Sequence, residues 1–212
     1  SIKSFALENK LEFFNPRKQD GFLRSLMIRN SNRGDFMVLI QFFKENKSQS
    51  EALLDHLKKQ FKIASLLYCI NSKANDTLYD QEIICYDGQS YITEEMEGLH
   101  FKINAKSFFQ TNTKQAYELY KIARDFAGLK VDKMVYDLYT GTGTIAQFVA
   151  KDCFKVVGVE SVPEAIEAAK SNAKNNGIKN AFFEVGDMRK VFNQDFITRH
   201  GKADVVLSLI HI

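Results

Sequence analysis

Three carboxylates and a pair of glycines are spaced as a nucleoside-binding strand edge requires. In residues 135–146, VYDLYTGTGTIA, Gly141, Gly143 and Ala146 fit a G-x-G-x-x-G/A turn. Small residues there let a ligand approach the backbone and let the next helix pack on its strand. Asp137 stands four residues before Gly141, Glu160 lies twenty-three residues beyond Asp137, and Asp187 follows Gly186. A carboxylate at Glu160 can accept both hydroxyls of an adenosine ribose. An acid at Asp137 would repel the pyrophosphate of a dinucleotide, which needs amides and a helix N-terminus. S-adenosylmethionine has no phosphate; its amino group and sulfonium are cations that a carboxylate attracts. Asp187 offers an acceptor for the adenine amino group. Singly, each acid also suits a helix cap or a solvated loop. Together they favour the sulfonium cofactor and a methyltransferase. An NAD-dependent oxidoreductase is the alternative that GTGTIA and Glu160 permit, without a recognisable hydride-transfer site.

These residues need a parallel sheet to hold them. From about residue 113 the pattern alternates: helix 113–126, strand 134–138, the glycine turn, helix 145–151, strand 155–159, helix 163–175, strand 181–185, a helix near 195–200 and strand 203–206. Such alternation predicts βαβ units in a doubly wound α/β domain. Ser161 and Glu164 predict a capping box for the helix at 163, and Gly177 its stop. The first half reads as a smaller α+β domain. It has a short helix around Phe5, strands 26–29 and 36–43, a helix capped by Ser50, and a buried strand 64–70. Strands 83–86, 91–93 and 99–103 predict an antiparallel meander. The boundary is placed between residues 97 and 98.

The net charge is +3, from 29 basic and 26 acidic residues. Residues 1–33 carry seven Lys/Arg against three acids, so Arg17, Lys18, Arg24, Arg29 and Arg33 form a basic stretch with interleaved aromatics. That composition suits phosphate contact and base stacking, and equally a solvated strand face. At 45% hydrophobic and 26% charged the 212-residue chain is globular, and no apolar run reaches the ~18–20 residues of a membrane span. Three cysteines without a CxxC argue for a reducing cytoplasm. Cys69 and Cys85 read as buried small hydrophobes and Cys153 as more exposed. His56, His100, His200 and His211 show no ligand spacing, so no metal is expected.

SFFQTN at 107–112, VYDLYTGTGTIA, VVGVE at 156–160 and VPEA at 162–165 resemble the RNA uracil-5-methyltransferase family. EFFNPRKQDGFLRSLMIRNS and DTLYDQEIICYDG resemble the central domain of its 23S ribosomal-RNA branch. The resemblance implies a Rossmann-like class I methyltransferase domain at 98–212, preceded by a central domain at 1–97 that contacts RNA. It implies that Gln110 orients the methionine portion of the cofactor, Tyr139 packs against it and Glu160 holds the ribose, with Asp187 a further contact. Gln110 also suits a cap for the next helix, and Phe108 or Phe109 suits the core. The reaction so implied adds a cysteine thiolate to carbon 6 of uracil before carbon 5 takes the methyl group, and a general base then removes the carbon 5 proton. In the family that cysteine lies after an Asp-Pro-Pro loop, where this chain reads Leu207-Ser208-Leu209-Ile210-His211-Ile212. The expectation is a fragment, truncated after the fourth strand, with non-native residues 207–212. It would have an unpaired sheet edge, poor solubility, weak cofactor affinity and no turnover alone. An iron–sulfur cluster would belong to the full-length parent and not to this chain. Ribosomal RNA is the implied partner ahead of transfer RNA; a non-catalytic RNA-binding module is the other alternative.

Overall fold

The computed structural model describes residues 1–209, and the chain forms two compact units. The first comprises Ser1–Thr93 with Ile103–Lys106, the second Glu94–Lys102 with the chain from Ser107 onward. Strands β5 (Tyr91–Met96) and β6 (Leu99–Asn104) form a two-stranded sheet within which the chain passes out of one unit and back. A single cut between residues 97 and 98 would fall inside its turn.

In the first unit, helix α1 (Ile2–Glu8) is followed by β1 (Leu23–Asn30), β2 (Phe36–Phe42), α2 (Lys47–Gln60), β3 (Ser65–Ile70) and β4 (Ile84–Gly88). The sheet order is β1-β2-β3-β4. β1 and β4 are antiparallel to their neighbours, but β2 and β3 run parallel. The meander expected of strands 83–86, 91–93 and 99–103 is corrected in its first step: β5 and β6 pair with each other, but β4 belongs to the sheet of β1–β3. Because α2 intervenes, β3 re-enters the sheet in the direction of β2, and β4 pairs with β3 rather than with β5. α2 buries Leu53, Leu54 and Leu57 with Val38, Ile40, Phe42 and Leu66 of the sheet. Its cap is Asn46, whose side chain accepts the Gln49 N–H at 3.1 Å. Ser50 lies one turn inside, buried, with its hydroxyl unpartnered.

The second unit orders its parallel strands β10-β7-β8-β9: β7 is Met134–Leu138, β8 Lys155–Glu160, β9 Ala181–Val185 and β10 Val205–Ser208. Helices α3 (Thr113–Ala127), α4 (Thr144–Val149) and α5 (Pro163–Asn175) connect or flank them, followed by α6 (Met188–Val191) and α7 (Gln194–His200). One face of the sheet buries Val135, Val156, Phe148 and Tyr120; the other buries Tyr136, Val157, Val159 and Phe196. Helices thus cover both faces, as the strand–helix alternation predicts. α3 starts at Asn112, whose side chain accepts the Gln115 N–H, and stops at Gly128 in the left-handed region. No capping box forms on α5. Val162 precedes Pro163, which has no N–H, and the Ser161 hydroxyl donates to Glu160 Oε1 instead.

Two asparagines four residues apart, Asn172 in the last turn of α5 and Asn176 at its C-cap, hold β6 by its backbone. Asn172 Oδ1 accepts the Lys102 N–H, while Asn176 accepts from the His100 N–H and donates to its carbonyl. The β5–β6 turn uses Glu97 at φ 48° and Gly98 at φ 77°, the sign pair of a tight hairpin turn. Arg124, Lys151 and Tyr117 all donate to the Glu97 carboxylate, and Arg124 above all pulls its pKa down to about 2. Residues 210–212, including His211, lie outside the described residues, so the expectation for that part of the C-terminal hexapeptide goes no further.

Ser50→Ala is expected to leave stability unchanged or raise it by up to about 1 kcal/mol, since it removes an unsatisfied buried hydroxyl. Asn46→Ala is expected to cost about 1 kcal/mol. Urea denaturation of both variants checks this; the reverse ranking would restore Ser50 as the cap.

Candidate functional site

The C-terminal tips of β7, β8 and β9 bring the predicted residues to one edge. β7 ends in register with β8 at Leu138 and Val159, and β8 with β9 at Glu160 and Val185. Tyr139 to Gly143, Glu160 and Asp187 therefore leave the sheet side by side.

The turn after β7 begins with backbone strain. Tyr139 has φ 62°, a left-handed value that a bulky side chain rarely adopts, and its ring is 42% exposed. Such conformations persist where the surroundings over-determine them and concentrate at functional sites. Here the following residue fixes the chain: the Thr140 N–H donates to the Val159 carbonyl, and the Thr140 carbonyl accepts the Gly143 N–H. Gly143 is obligatory, with φ 75° and a notional Cβ only 2.7 Å from the Phe183 ring. At Gly141 a Cβ would meet nothing within 4 Å, so the outer side of the turn is open to a ligand.

Asp137 lies beneath this turn, 2% exposed. Its Oδ2 accepts the Thr140 hydroxyl at 2.6 Å and the Ala146 N–H at 3.1 Å. Burial pushes its pKa up to about 7, against the lowering effect of those two bonds, and neighbouring Glu160 adds to the rise. The expectation of Asp137 as an open carboxylate attracting a cation is corrected: removed from water, it is a strut that ties strand, turn and helix together. Thr140, which completes this strut, was not anticipated. Its only signal in the sequence is a hydroxyl residue three positions after the acid.

Glu160 is the half-buried counterpart at the tip of β8. Oε2 accepts the Gly141 N–H at 3.2 Å, while Oε1 accepts the Ser161 N–H at 2.7 Å, the Ser161 hydroxyl at 3.0 Å and the Val162 N–H at 3.1 Å. Asp187 caps α6 by accepting the Arg189 N–H, and is exposed beyond β9. Gln110 is half-buried on the segment before α3; since Asn112 caps that helix, Gln110 does not. Phe109 packs against Phe101 at 6.1 Å, whereas Phe108 is 72% exposed.

The basic stretch divides. Arg24 occupies a bulge in β1 and donates to the carbonyls of Asn71 and Lys73, with its guanidinium 4.6 Å over the Phe14 ring. Arg29 is half-buried and donates to the Asn104 carbonyl. Both are occupied within the protein, which corrects their placement as free phosphate contacts. Arg17, Lys18 and Arg33 are exposed.

The cysteines exchange their expected places: Cys85 is exposed and Cys153 buried, because Cys153 packs beneath the turn after α4 while the β4 edge leaves Cys85 open. Cys69 is buried as expected. Burial raises all three thiols, Cys69 and Cys153 to about 11, so none is an activated thiolate. Among the described residues no group of three or more His, Cys, Asp or Glu side chains is placed to hold a metal, and no helix is long and apolar enough to cross a membrane.

Asp137→Asn retains an oxygen able to accept both turn bonds. The carboxyl is neutral in both states below about pH 4; above that it ionises first in the unfolded chain, while the fold holds it neutral to about pH 7, so its stabilising contribution is lost progressively between the two. The Asn variant is expected to gain on the native protein between pH 4 and 7, to a plateau of the order of 4 kcal/mol. Parallel stability–pH curves for the two proteins would contradict this.

Residues 129–210 match a family model described as a methyltransferase domain. A Porphyromonas gingivalis protein named as an RNA methyltransferase is 52% identical, over 98% of this chain and 45% of its own length. One from Bacteroides thetaiotaomicron is 48% identical, over 98% of this chain and 47% of its own. The chain thus spans about half the length of the curated relatives it matches. Among solved structures, the tRNA (uracil-54, C5)-methyltransferase of Pyrococcus abyssi, in complex with S-adenosyl-L-homocysteine, is similar with a TM-score of 0.73 and 32% identity. The match covers 90% of this chain and 46% of that one. The second unit has the α/β fold of a class I methyltransferase, and its glycine turn and two carboxylates, Glu160 and Asp187, stand at the strand tips.

Proposed function

We propose that this chain is the cofactor-binding portion of an enzyme that transfers a methyl group from S-adenosylmethionine to carbon 5 of a uridine in RNA. The bond from the Gly141 N–H to Glu160 carries the choice of cofactor. A dinucleotide would need that N–H for its pyrophosphate, yet an anionic oxygen already stands there and would repel it. A ligand that brings hydroxyl donors and positive charge is compatible with the same arrangement: Glu160 accepts from the ribose, and the open side of Gly141 admits the nucleoside. Tyr139 offers its exposed ring to the adenosine face, Asp187 an acceptor, and Gln110 a polar group for the methionine end. S-adenosylmethionine supplies an electrophilic methyl group when bound.

Uridine as the target is supported by the SFFQTN and DLYTGTGTIA motifs and by similarity to the tRNA uracil-C5 enzyme. Carbon 5 of uracil is a poor nucleophile until a thiolate adds to carbon 6. With all three thiols raised, that thiolate comes from the part of the protein this chain does not span. The ribosomal substrate rests on the resemblance of the first unit, in which Arg17, Lys18 and Arg33 remain open for phosphate contact.

Titration calorimetry of the chain is expected to show binding of S-adenosylhomocysteine and none of NAD. Glu160→Ala is expected to weaken the former at least tenfold by removing charge-assisted bonds to the ribose. NAD binding, or indifference to Glu160→Ala, would overturn the cofactor assignment. Loss of 5-methyluridine from ribosomal RNA when the whole gene is deleted tests the substrate; loss from transfer RNA alone would replace it.

A further inference from the structure

The outer side of β9 is the end of the sheet among the described residues, and a groove of about 550 Å³ runs beside it. Its walls come from the C-terminal half of α5, the loop that follows, and the first residues of β9. Lys170, Lys174, Lys179 and His200 supply its ionisable groups, and no carboxylate lines it. Lys170 is paired with Glu167 at 2.9 Å. Lys174 and Lys179 are exposed and have no carboxylate within ion-pair distance among the described residues. His200 is bound to Glu184, which Arg199 also holds, so that acid is neutralised beside the groove. Phe182 stands in the groove 46% exposed, with Lys155 Nζ 5.1 Å from its ring centroid.

We propose that this groove binds the backbone and one base of a single RNA strand flanking the methylated nucleotide, a proposal that rests on the methyltransferase reading of the same unit. Unpaired lysines beside an exposed ring are the two elements of sequence-tolerant single-strand binding: phosphate neutralisation and a stacking platform. Register supplies the geometry. Phe182 pairs with Val157 and Val185 with Glu160, so the ring lies three residues, roughly 10 Å, below the strand tips that hold the candidate cofactor site. A strand presenting its target at those tips can lay its flank along β9. The excess of cation favours a polyanion over a peptide strand pairing with the open edge, which would need no lysines.

The test uses the 212-residue chain, short labelled single-stranded RNA, and fluorescence anisotropy across a salt series. Lys174→Ala/Lys179→Ala is expected to reduce the slope of log affinity against log salt by about 1.4, close to 0.7 per released phosphate contact. Phe182→Ala is expected to weaken binding at least fivefold and leave the slope unchanged. An unchanged slope in the lysine variant overturns the proposal, as does absence of RNA binding by the native chain. S-adenosylhomocysteine titrated into the same samples separates that failure from failure of the methyltransferase reading. Altered self-association in sedimentation, with RNA binding intact, would reassign the edge to strand pairing between copies.

Discussion

The candidate site depends on where two carboxylates send their hydrogen bonds. Asp137, in the interior, gathers the Thr140 hydroxyl and the Ala146 N–H onto one oxygen and so fixes the turn against the first residues of α4. Glu160, at the surface, gathers the Gly141 N–H and the start of the next loop. The two sit on neighbouring parallel strands, and their mutual repulsion contributes to keeping Asp137 reluctant to ionise. The strained backbone of Tyr139 immediately precedes Thr140 and Gly141, the two turn residues that these acids bind. A ligand approaching the strand tips therefore meets a preformed turn in which the inner acid provides rigidity and the outer one recognition. Rigid support of this kind keeps the ordering cost of binding low.

Much of this edge was legible in the sequence because the features that carry it are local. The alternation of apolar runs and helical periods gave β7, α5 and β9 their limits, and the glycines marked the turn through positive φ and close packing. What escaped was non-local or competitive. Ser50 and Asn46 are both competent caps four residues apart, and only packing of the leucine face of α2 on the sheet decides between them. The pairing of β3 beside β2 follows from where α2 lies, which strand spacing alone does not encode. α6 is a single turn too short to show a period.

Charge was the least transparent property. Arg24 and Arg29 look in sequence like Arg17 and Arg33, yet a bulge turns Arg24 inward onto two carbonyls and burial engages Arg29. The cysteines carry the same lesson: exposure followed strand edges and helix ends rather than the apolarity of neighbouring residues. Residue type states what a side chain can do, and its partners determine whether it is free to do so.

The asparagine pair at the C-terminal end of α5 has one more consequence. Asn172 and Asn176 serve as a surrogate neighbour strand, meeting the main chain of β6 at two points one helical turn apart. That spacing works only while the helix keeps its phase. A one-residue insertion between them would swing one amide through about 100° and unhook the hairpin, although neither the sheet nor the glycine turn had been touched. Length changes in this helix are therefore confined to whole turns or to the stretch beyond Asn176, a constraint that separates the rigid body of the helix from its tolerant C-terminal loop.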